Sequence, residues 1–68
     1  MDMETLTIEI RDARRDVERA KLLYGNGQAS YDDMAAAARR LSALFYEYQR
    51  VRFPHMRAKR IPYQSILR

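Results

Sequence analysis

Only one side chain in this 68-residue sequence, His55, has an ordinary pKa near neutrality, so any acid–base catalyst or metal centre would have to be built on it. It stands beside Pro54 in a basic stretch, with no carboxylate close in sequence to orient its ring. The chain has no Cys to supply thiolate ligands. Neither a catalytic nor a metal role is expected, and no cofactor. Gly25-Asn26-Gly27 lacks the preceding strand, the further glycines and the lysine of a phosphate-binding loop, and reads instead as a helix end and turn. The chemistry that the sequence does concentrate is cationic. Arg50, Arg52, Arg57, Lys59 and Arg60 lie close together, with Phe53, His55 and Tyr63 among or beside them. A stretch of this kind can pair phosphates and stack bases, or dock on an acidic protein surface. Residues 49–68 hold six basic residues and no acid, whereas residues 1–48 hold seven basic and nine acidic ones. A slightly acidic body therefore carries a strongly basic tail.

The elements that must position this tail are read from apolar spacing. Leu6, Ile10, Ala13, Val17, Ala20 and Tyr24 recur every three or four residues, the seam of an amphipathic helix over 5–24. Arg, Asp and Glu fill the positions between, while Ile8 and Leu22 fall off the seam onto the outer side. A turn over 25–30 follows. Ser30 and Asp33 have the spacing of a capping box for a second helix over 31–53, whose seam is Met34, Ala37, Leu41, Leu44, Tyr48 and Val51. Ala38, Phe45 and Tyr46 widen that apolar surface beyond what one partner helix covers. Phe53-Pro54 ends the helix, because the residue before proline is driven out of the helical region. Residues 54–68 show no amphipathic period and read as an extended basic arm, although Ile61, Tyr63, Ile66 and Leu67 give it somewhere to dock. The expected fold is all-α, an antiparallel two-helix hairpin over 1–53 with this C-terminal arm.

Size sharpens the expectation. At this length a lone core supplies a margin of only about 3–5 kcal/mol, and without cysteines no disulfide adds to it. Other chains are expected to complete the interior. The anchors would be Phe45, Tyr46, Tyr48 and Phe53 on the second helix and Ile61, Tyr63, Ile66 and Leu67 on the arm. Arg50, Arg52, Arg57, Lys59 and Arg60 would meet an acidic partner or phosphates.

The layout resembles the small head–tail joining proteins of tailed bacteriophages typified by the lambda W protein. The likeness lies in a short first helix ending near Leu23-Tyr24-Gly25, a Gly-containing turn with Gln28 and Tyr31, a second helix through Leu41 to Tyr48, and a basic, proline-bearing tail from Arg57 to Pro62. Those proteins carry a β-hairpin between the helices, whereas Gly25 to Ser30 leaves room for a turn and no more than a vestigial strand pair. The resemblance implies a ring-forming adaptor of the virion neck, with the Arg57-to-Arg68 arm reaching a neighbouring subunit.

The expectation is thus a non-enzymatic assembly subunit acting as a homo-oligomer or with other structural proteins. The alternative is a small nucleic-acid-binding or regulatory protein acting through its basic tail. No small-molecule substrate and no membrane partner are expected. The acidic start Met1-Asp2-Met3-Glu4 does not resemble a secretory signal, and no apolar run approaches the roughly 20 residues that span a bilayer. The expected location is the cytoplasm, or the virion if the chain is of phage origin.

Overall fold

The computed structural model describes residues 2–68. They form two long helices packed against each other, α1 (Met3–Gly25) and α2 (Tyr31–Arg52), and a short third helix, α3 (Tyr63–Leu67), with no strand among the described residues. The molecule is an elongated slab of 43 × 21 × 14 Å. Tyr24, late in α1, meets Tyr31 at the start of α2 edge-on at 6.1 Å, and farther from the turn the Arg14 guanidinium lies over the Phe45 ring at 5.4 Å. Contacts between residues progressively farther apart in sequence give the pair its hairpin-like form.

Local chemistry fixes where each helix starts and stops. Asp2 caps α1 by accepting from the Thr5 amide at 2.7 Å. That amide, joined to a negative charge at the positive end of the helix, holds the Asp2 carboxyl below its usual value. At the other end Gln28 N–H donates to the Leu23 carbonyl and Gly27 N–H to the Tyr24 carbonyl, the paired bonds of a Schellman ending. Gly27 takes the left-handed conformation this requires, with φ of 75°. Gly25 remains inside the helix. Ser30 and Asp33 close a reciprocal capping box on α2, at 3.1 and 3.2 Å.

The core is thin. It consists of Leu6, Ala13 and Val17 from α1 with Met34, Ala35, Ala38 and Leu41 from α2, and three of these seven are alanines. The buried face of α2 includes Ala35 and Ala38, to one side of the Met34–Ala37–Leu41 seam. The outer seam positions Tyr24 and Val51 stay exposed. Arg40 braces the pair from one side, with its guanidinium 2.8 Å from Glu9 and 3.1 Å from Asp16 of α1.

The reading of residues 54–68 as wholly extended needs correction. After a turn closed by Met56 N–H donating to the Phe53 carbonyl, the chain runs back along α2, and residues 63–67 form a turn of helix. Pro62 starts it with φ of −60°. One turn suffices to place Tyr63, Ile66 and Leu67 on a common side, and Ile66 and Leu67 pack against the Ala13, Val17 and Leu41 cluster. So short a helix offers no repeat for periodicity to register. The extra apolar width of α2 is covered in part by the chain's own C-terminus.

Candidate anion-binding cleft beside the docked arm

The returning arm and α2 bound a cleft of about 600 Å³. Polar contacts hold the arm in place. The Gln49 side-chain amide reads the backbone of Lys59 in both directions, donating to its carbonyl at 2.9 Å and accepting from its N–H at 3.0 Å. Two residues on, the Ser42 hydroxyl donates to the Ile61 carbonyl. Gln49 and Ser42 are seven residues apart, about two helical turns, so they lie in one row along α2 and grip an extended segment at two points.

Guanidinium groups line the cleft. Arg39 lies over the Tyr63 ring at 4.7 Å, while Arg60 and Arg50 lie over the Tyr46 ring at 5.1 and 6.0 Å. Glu47 is the one carboxylate in the lining, and Arg50 approaches it at 3.4 Å. An adjoining hollow of about 420 Å³ shares Tyr46 and Arg50 and adds Arg57. At the end of this row Tyr31, Tyr63 and Arg39 come together. The Tyr31 phenol is raised above its usual pKa, first by its interaction with the Tyr63 side chain, then by slight desolvation and the neighbouring phenols, against the opposing pull of Arg39.

The residues singled out in the sequence fall into three places. Tyr46, Arg50, Arg60, Ile61 and Tyr63 line the cleft, with Arg57 in the adjoining hollow. Phe45, Ile66 and Leu67 are half-buried against the core, and Tyr48 shares with Phe45 a second hollow of about 400 Å³ near Ile10 and Arg14. Arg52 and Phe53 remain outside, exposed and stacked on each other at 5.5 Å, and Lys59 is held by its backbone. His55 is exposed in the turn after α2, and no group of three or more His, Asp or Glu able to hold a metal occurs among the described residues.

Arg39 is the cationic cleft residue that sequence reading missed, along with Ser42 and Glu47 in the same lining. It follows an alanine run and adjoins Arg40, and a pair of neighbouring arginines does not disclose which one faces which side. A usable signal was its spacing to Arg50: eleven residues are close to three full turns, which puts both on one face about 16 Å apart.

Among the described residues no helix is long and apolar enough to cross a membrane. Comparison with known proteins finds no matching family model, no matching curated protein and no matching solved structure.

Proposed function

We propose that the chain is a non-enzymatic assembly subunit that acts by packing against other protein chains. The observation that carries this reading is the thinness of the interior. Among the described residues Leu6 is the one large side chain that is fully buried, whereas Leu22 and Met56 are about 70% exposed and Ile8, Tyr24, Tyr31, Val51 and Phe53 also stand on the surface. Burial of apolar surface is the main stabilising term in folding, so a chain this short gains a great deal from covering what it leaves out.

Docking of the arm changes which residues meet the partner. Ile61, Tyr63, Ile66 and Leu67 serve the chain's own α2, and the role of anchor passes to Val51, Phe53 and Met56, which follow one another where α2 ends. The partner is a second copy of the chain or another structural protein. A neck or head–tail connector of a phage is the kind of assembly that the layout suggests.

Light scattering and thermal unfolding over a hundredfold range of concentration test the reading. Association that completes the core raises the midpoint with concentration, since binding to the folded state stabilises it by mass action. Phe53→Ser with Met56→Ser should return the particle to monomer mass. A wild-type chain that is monomeric throughout, with a cooperative transition that ignores both its own concentration and added candidate structural partners, would overturn it.

A further inference from the structure

We propose that the cleft between α2 and residues 57–63 is a binding site for single-stranded nucleic acid, held through its phosphates. This goes beyond the assembly reading and does not depend on it.

Charge is the first argument. Residues 39–68 hold eight basic residues and one acid, Glu47. Arg40 satisfies two carboxylates of α1, but its neighbour Arg39 makes no ion pair among the described residues, and neither do Arg57 and Arg60. The arm thus brings like charges toward one another along α2. Their mutual repulsion is relieved by an anion from outside, and a chain of phosphates supplies several.

Orientation is the second. Tyr63 and Tyr46 back the guanidinium planes of Arg39, Arg60 and Arg50. A guanidinium held over an aromatic ring loses freedom of movement, and Arg39 and Arg60, which make no ion pair among the described residues, keep their N–H groups for a phosphate fork. The outer face of such a guanidinium is also a platform on which an unpaired base can stack, a contact that a run of carboxylates alone does not supply. This favours nucleic acid over an acidic protein segment.

Shape is the third. The cleft continues past Tyr46 and Arg50 into the hollow at Arg57, so cationic positions follow one another along a path rather than surrounding a point. A polymer suits such a path better than one small anion. The arm forms a second wall, and a cleft of about 600 Å³ between the walls has room for a few groups of a flexible strand but not for the paired strands of a duplex.

The test is fluorescence anisotropy with the full chain over a salt series, using oligo-dT, oligo-rU, a duplex of the same length and a polyglutamate peptide. Binding of either single strand supports the proposal, with log affinity falling against log salt at a slope of about −3, or ~0.7 for each of four phosphates. Arg39→Gln with Arg50→Gln should weaken binding about tenfold or more and bring the slope to about −1.4. Arg60→Gln, which leaves the Arg39–Tyr63 contact intact, should weaken it in the same direction. Arg15→Gln with Arg19→Gln on α1 removes the same net charge and should change affinity by less than about threefold. Four outcomes would overturn the proposal: no binding at low salt, equal loss from the α1 pair, a duplex bound as tightly as a strand, or displacement of the strand by polyglutamate at matched charge.

Discussion

The two faces of α2 are joined to the rest of the chain by different physics. Toward α1 the centre of the contact is alanine-rich, with Ala35, Ala38 and Leu41 buried and no buried polar residue among those described, and the Arg40 ion pairs and the Arg14–Phe45 contact stay at its exposed edge. Toward the arm the contact is half-buried, made by side chains such as Gln49 and Ser42 reaching backbone groups and by arginines lying on rings. Burial is lost as a unit when helices separate. Exposed side-chain hydrogen bonds exchange with water at a net cost of only about 0.5–1.5 kcal/mol each. The first face therefore makes the fold, and the second makes an attachment that can open locally while the long helices persist.

The sharpest way to break this contrast is to cut into each face separately. Leu41→Ala removes a buried side chain shared by both long helices, at a cost of about 2–5 kcal/mol. Set against a margin of about 3–5 kcal/mol for a chain of this size, it should abolish the cooperative transition and most of the helical circular dichroism at 25 °C. Deleting residues 63–68 removes only the half-buried Ile66 and Leu67 from the cluster, with an expected cost of about 1–3 kcal/mol. The melting point should drop while the dichroism of α1 and α2 remains. If the deletion unfolded the chain as thoroughly as Leu41→Ala, the arm would belong to the core, and the contrast would fail.

The same contrast marks what the sequence made legible. Residues that recur at three and four, such as Leu6, Ala13, Val17, Met34 and Leu41, announce the long helices because burial on one face of a rod imposes that period. The capping box at Ser30 and Asp33 is legible for a similar reason, since its chemistry is complete within four residues. Asp2 as a cap was overlooked, although an Asp three residues before the Thr5 amide is the same device without a reciprocal partner. The cleft was legible only in pieces. Arg50, Arg57, Arg60, Tyr46 and Tyr63 stand out by type, but what assembles them is a Gln side chain reading a backbone ten residues away, and backbone bonding groups are the same at every position. The destination of Ile66 and Leu67 was hidden likewise, because an arm with four apolar residues fits its own helix or a neighbour's on equal terms.

The smallest expected effect, and the most local, concerns pH at the end of the docked segment. The neutral Tyr31 phenol is the form that the contact with Tyr63 favours, so its pKa is higher in the folded chain than the ordinary value of about 10. A group raised in this way contributes stability that is fully present below its unfolded pKa and disappears as pH climbs through the folded one. Asp2 behaves in the opposite sense: its lowered carboxyl stabilises the start of α1 above the usual carboxylate pKa, and that contribution is lost as pH falls through the lowered folded value. The arm should therefore loosen first at the alkaline end of a titration and the first turn of α1 at the acid end. Tyrosinate absorbance reads the alkaline limb directly. Tyr63→Phe removes the hydroxyl and keeps the ring under Arg39, so it should bring the Tyr31 titration back toward its ordinary midpoint without moving the Asp2 limb, followed through exchange of the Thr5 amide. An unshifted Tyr31 midpoint in that variant would show that desolvation and the neighbouring Tyr24 phenol, rather than the Tyr63 hydroxyl, hold the phenol's proton, and the alkaline limb would then not report on the arm.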